Sequence, residues 1–148
     1  MGRWNEEMAL STTKVGIVSC SGEELPEGTV TRVATRLVLE KLRPDKTVTI
    51  CLPLFLAGDE GERDFAKVFP TITVDGCDKR CAQRATANLS ARPAHSILIT
   101  DIAKKHPEIR LESCEKLTDD EMKIAEEIAE EIAAKVDEIL SKRPVRTG

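Results

Sequence analysis

Short runs of β-branched and apolar residues recur along this chain, separated by stretches with helical periodicity, and this alternation constrains the fold more than any other feature. The runs are Lys14-Val15-Gly16-Ile17-Val18-Ser19, Thr47-Val48-Thr49-Ile50, Thr71-Ile72-Thr73-Val74 and Ser96-Ile97-Leu98-Ile99-Thr100-Asp101. A shorter fifth candidate lies at Ile109-Arg110-Leu111-Glu112-Ser113. Near-continuous apolar runs of this length mark strands covered on both faces. Between the first two, Val30, Val33, Ala34, Leu37, Val38 and Leu42 fall at helical spacing until Arg43-Pro44 stops them. A second helix is expected over Asp78–Leu89, with Cys81, Ala82, Ala85 and Leu89 on one side. The last helix is the clearest. Thr118-Asp119-Asp120-Glu121 is a capping box, and Ala125, Ile128, Ala129, Ile132, Val136, Ile139 and Leu140 follow as one stripe. Glu126, Glu127, Glu130 and Glu131 are left on its wet face.

This pattern predicts a three-layer α/β fold: a doubly wound, mostly parallel, four- or five-stranded sheet with helices on both faces, of the Rossmann or flavodoxin type. With 148 residues, a single α/β domain is expected over residues 14–142, with an N-terminal arm at 1–13 and a C-terminal tail at 143–148. Only 3% of residues are aromatic, so the core must rest on Val, Ile, Leu and Ala. Twenty-two basic against 26 acidic residues give a net charge of −4, which argues against a nucleic-acid surface. No stretch approaches the ~20 apolar residues of a membrane span. The start, Met1-Gly2-Arg3-Trp4-Asn5-Glu6-Glu7, lacks the basic and apolar segments of a signal peptide, and Glu6 spoils a myristoylation motif at Gly2. A cytoplasmic location is therefore expected, where thiols stay reduced.

Five cysteines stand out in that setting. Their spacing, Cys20-x30-Cys51-x25-Cys77-x3-Cys81-x32-Cys114, fits no zinc-finger formula. Their places are more telling. Cys20, Cys51 and Cys77 each follow a predicted strand, and the carboxyl ends of parallel strands share one edge, where α/β ligands bind. Cys81 stands one helical turn beyond Cys77, on the same side of the expected helix start. A helix N-terminus favours thiolate, and clustered thiolates need compensation that a soft cation such as Zn²⁺ supplies. A single cysteine at a strand end is commonly a small apolar filler, and Cys114, after the shorter fifth run, is read that way.

Around these positions, Gly76 permits a tight turn and Asp75 is placed to cap the following helix. Ser21 and Gly22 offer backbone N–H groups to an anion or form a plain turn. Asp101 falls at the end of the fourth run, His95 at its opposite end, and His106 in a polar, exposed loop. The apolar loop Leu52–Ala57 lids the site, fills the core, or meets a protein partner or a second copy of the chain. No dinucleotide or P-loop fingerprint is present. A Cys-x5-Arg phosphatase loop fails too, because Pro26 follows Cys20 and Gln83 follows Cys77 at that spacing.

With Cys20-Ser21-Gly22, Cys51-Leu52-Pro53 and Asp75-Gly76-Cys77-Asp78-Lys79-Arg80-Cys81 in order, the sequence resembles the DGC-domain family, small bacterial and archaeal proteins whose cysteines are taken to bind zinc. The resemblance spans about residues 14–115 and implies Cys20, Cys51, Cys77 and Cys81 as the metal ligands. Three readings follow. The first is a zinc-binding protein using those thiolates, closed with four and open with three. The second is a thiol-redox or thiol-transfer enzyme, with Cys77 as nucleophile and Cys81 as resolving thiol. The third is an iron–sulfur or other thiophilic metal carrier using the same ligands. A metal ion is the expected partner; nucleic acid and membrane are not.

Overall fold

Four parallel strands carry the molecule. The computed structural model describes residues 14–142; the expected arm at 1–13 and tail at 143–148 lie outside the described residues. Strands β1 (Val15–Ser19), β2 (Thr47–Thr49), β3 (Thr71–Asp75) and β4 (His95–Leu98) form one sheet in the order β2-β1-β3-β4. Every pairing is parallel, with Ile17 beside Thr49 on one flank and Ile72 on the other, and Val74 beside Ile97. The helices are α1 (Pro26–Leu37), α2 (Leu52–Leu56), α3 (Glu60–Arg63), α4 (Phe65–Val68), α5 (Cys81–Leu89), α6 (Ile99–Ala103) and α7 (Asp119–Lys142). Val38–Leu42 continues α1 as a wider π-type turn. The three-layer, parallel α/β architecture is thus the observed one, with four strands among the described residues.

Two cores follow from the twofold alternation of side chains along a strand. Val15, Ile17, Ile72 and Val74 point to one face, where Val30, Ala34 and Val38 of α1, Ile99 and Ile102 of α6 and the Ile124–Val136 stripe of α7 cover them. Val18 and Cys20 point to the other, against Leu52, Phe55, Phe65, Phe69 and Ala82. The low aromatic content forces an aliphatic core only on the first face.

Several boundaries depart from expectation. Ile109–Ser113 is not a strand: Ile109 and Leu111 pack at the margin of the first core, and the N–H groups of Glu112 and Ser113 donate to the Glu121 carboxylate instead of a ladder. The fourth strand ends at Leu98, because Ile99 and Ile102, three apart, are both buried and the chain turns helical there. Asp101 is consequently an exposed residue of α6. The predicted loop Leu52–Ala57 is mostly the single-turn helix α2, with Pro53 in its first turn, where proline is well suited. Pro26 likewise starts α1 three residues ahead of Thr29. The capping box forms as expected: the Thr118 hydroxyl accepts from Glu121 N–H and the Glu121 carboxylate from Thr118 N–H. His106 is half-buried rather than exposed, its Nε2 2.5 Å from the Glu127 carboxylate, a bond that raises its pKa. No described helix is long and apolar enough to cross a membrane.

Candidate functional site

Strand order reverses direction between β1 and β3, and α/β folds open their binding crevice at such a point, at the carboxyl edge. The chain leaves β1 directly at Cys20 and β3 at Gly76-Cys77, so the two loops flank the crevice. A cavity of about 370 Å³ lies there. Cys20, Cys77 and Cys81 all line it, together with Ser21, Gly22, Asp75 and Gly76. Cys20 is buried, Cys77 half-buried and Cys81 exposed. Cys51, the N-cap of α2, is exposed and is not among the lining residues, although its neighbours Leu52 and Leu56 are. Cys114 is not the apolar filler expected: it is exposed outside the wall, its thiol directed at the Glu24 carbonyl at 3.6 Å.

The first two turns of α1 tie these loops together. A Cβ on Gly28 would stand 2.1 Å from the Gly22 carbonyl oxygen, so the loop after β1 touches the helix backbone itself. A Cβ on Gly76 would stand 3.0 Å from the Glu27 carbonyl carbon, so the loop after β3 rests on the same turn. These contacts give the Cys-Ser-Gly and Asp-Gly-Cys glycines a purpose: a side chain at Gly22 or Gly28 would overlap the facing backbone, and one at Gly76 would crowd Glu27. Arg32 donates to the Ser21 carbonyl at 2.7 Å and Thr29 to the Cys114 carbonyl at 2.6 Å. The Thr31 hydroxyl donates to the Gly28 carbonyl at 2.6 Å and lies 3.5 Å from Cys20 Sγ. With that hydroxyl proton engaged by Gly28, the Cys20 thiol is the donor in the second contact.

The Asp75 carboxylate caps α5, accepting from Ala82 N–H at 2.7 Å and Gln83 N–H at 3.1 Å. Burial pushes its carboxyl above the ordinary range, against those two bonds and the charge of Arg80. This remote cap also corrects the expected start at Asp78. Residues 77–80 form a turn closed by Arg80 N–H to the Cys77 carbonyl, and Arg80 sits in the left-handed region with φ of 51°. The helix begins only at Cys81, so Cys77 lies outside it and the two thiols are not one turn apart on a shared helix face. Cys51 has its own support, its N–H donating to the buried Glu62 carboxylate at 3.0 Å. Sequence reasoning missed Thr31, Arg32 and Glu62. Polar residues in helical stretches look like a solvated face, and no local spacing links them to a cysteine.

The DGC domain family matches residues 16–128. The chain belongs to the DGC-domain family. The matched span takes in Cys20, Cys51, Cys77, Cys81 and Cys114 and runs into α7. No curated protein and no solved structure matches the chain significantly. As a test of the metal site the family resemblance implies, the donor chemistry of this DGC-domain protein fits a thiophilic ion, with three thiols and no histidine on the cavity wall. Their spacing is another matter. Among the described residues, no three His, Cys, Asp or Glu side chains are grouped closely enough to hold a metal.

Proposed function

We propose that this DGC-domain protein is a cytoplasmic zinc-binding protein whose ligands are cysteine thiolates at the carboxyl edge of the sheet. The observation that carries this reading is that Cys20, Cys77 and Cys81 all line one cavity at the strand-order reversal. Such a set of soft donors selects a soft ion, and Zn²⁺ supplies the positive charge that clustered thiolates require. Binding would draw the 77–80 turn and Cys81 toward Cys20, since the sulfurs share a wall without converging. In the bound state the Thr31 hydroxyl would turn from the Gly28 carbonyl to the Cys20 thiolate. Cys51 is the candidate fourth donor. Without it the site would be an open, three-thiolate one.

Metal analysis of the full chain purified without oxygen tests the reading. About one zinc per chain is expected, lost in Cys77→Ser and kept in Cys114→Ser. Full retention in Cys77→Ser would overturn the site as drawn. A metal-free protein with a reversible Cys77–Cys81 disulfide would replace it with thiol-redox chemistry, and iron with inorganic sulfide would replace it with a cluster carrier.

A further inference from the structure

The thiol cavity has more room than an ion needs. Its volume of about 370 Å³ compares with about 30 Å³ for a water molecule and falls within the roughly 300–1,000 Å³ of small-molecule pockets. Leu25, Leu52 and Leu56 line the cavity together with the three thiols. Leu52 is buried, but Leu25 and Leu56 remain 41% and 51% exposed at the rim, presenting apolar surface to whatever enters. The rim's charge is equally selective. Glu23, Glu24 and Asp75 line the cavity against a single Lys79, with Glu23 also paired to Arg32 at 3.7 Å, so anionic ligands meet an acidic lining.

We infer that this cavity binds a small, uncharged organic molecule with an apolar chain of a few carbons. The chain lies against Leu25, Leu52 and Leu56, and its other end lies among Cys20, Cys77 and Cys81. The inference is made for the metal-free cavity, where the leucines and the lining charge carry it.

The thiols report on it directly. Metal-free, reduced full chain is treated with ethyl, propyl, butyl and anionic sulfonatoethyl methanethiosulfonates. A cysteine thiolate attacks the sulfenyl sulfur, a mixed disulfide forms and methanesulfinate leaves. Peptide mass spectrometry then gives the rate at each cysteine, with exposed Cys114 as the reference within the same molecule. Each buried methylene is worth about fourfold in affinity. The ratio of Cys77 to Cys114 labelling should therefore rise about fourfold per added methylene and saturate with reagent concentration. The sulfonatoethyl reagent should show a ratio about tenfold or more below that of the propyl one. Leu56→Ser and Leu25→Ser should each flatten the chain-length series, whereas Leu89→Ser, at an exposed leucine of α5 outside the cavity, should keep it. A ratio equal for all four reagents, or a series that survives both rim substitutions, would overturn the inference.

Discussion

The two faces of the sheet solve the same packing problem with different materials. One is covered by the long helices α1 and α7, whose regular stripes present Val, Ala and Ile at every turn, and among the described residues its buried cluster contains no aromatic one. The other is covered by α2, α4 and α5, and all three phenylalanines of the chain are there. A helix of four or five residues has room for one or two inward positions, so each must fill more space. Phe55 does this for α2, and Phe65 with the adjoining Phe69 for α4, the two rings 5.4 Å apart. The aliphatic face is thus a distributed scaffold, and the aromatic face a few large wedges set beside Cys20. Damage to the first should cost stability alone. Damage to the second should also reach the thiols.

The largest expected effect is on the aromatic face. Phe65→Ala should cost about 4 kcal/mol in urea unfolding. Gly16 lies beneath that ring, and a Cβ there would stand 2.3 Å from it. Gly16→Ala should therefore be destabilising alone yet recover part of the loss in the Phe65→Ala background, a coupling that a double-mutant cycle reads. Ile128→Ala, on the aliphatic face, should cost about 3 kcal/mol. The comparison is sharpened by pairing it with Phe55→Ala: in native buffer Phe55→Ala should speed labelling of Cys20, and Ile128→Ala should not. Equal labelling in the two variants would break the distinction between scaffold and wedge.

Smaller effects separate the polar supports. Thr31→Val removes the bonds to Gly28 and Cys20 at a cost of about 1 kcal/mol, and should weaken zinc binding under the proposed function, with Thr31→Ser restoring it. Two of the buried carboxylates, Glu121 and Asp75, should respond to pH with opposite signs. Burial works to raise Glu121, but the N–H bonds from Thr118, Ser113 and Glu112 outweigh it and hold its pKa below the ordinary value. Its contribution to stability is therefore present above that ordinary value and lost as pH falls through the lowered one. Asp75, raised mainly by burial, contributes below its ordinary value, and that contribution fades as pH rises through the raised one. Glu121→Gln should flatten the acid limb of a denaturation series, and Asp75→Asn should leave that limb in place.

Much of this organisation was legible in the sequence because it depends on short-range pattern. Val/Ile runs and helical stripes locate the strands and α7, and a parallel sheet then brings the loops holding Cys20 and Cys77 to one edge. What escaped depends on contacts between distant segments. The start of α5 is set by Asp75 and by the left-handed Arg80, not by the residues that look helical from Asp78. The alternation of Ile109 and Leu111 is real, but the Glu121 carboxylate takes the backbone N–H groups a fifth strand would have used. Cys51 sits at the end of the edge strand β2, where the chain turns into α2, and nothing in its spacing reveals that it stands apart from the cavity wall.

The touching glycines at positions 22 and 28 have a consequence for how this site can vary. Residues 23–25 form a rim whose two ends are already in contact, and they lie at the mouth of the cavity. Lengthening a loop with fixed, adjacent ends costs only about 0.6 kcal/mol per doubling. The rim can therefore grow or change composition while Cys20 and α1 stay in place, so what the cavity admits can change without rebuilding the frame that holds its thiols.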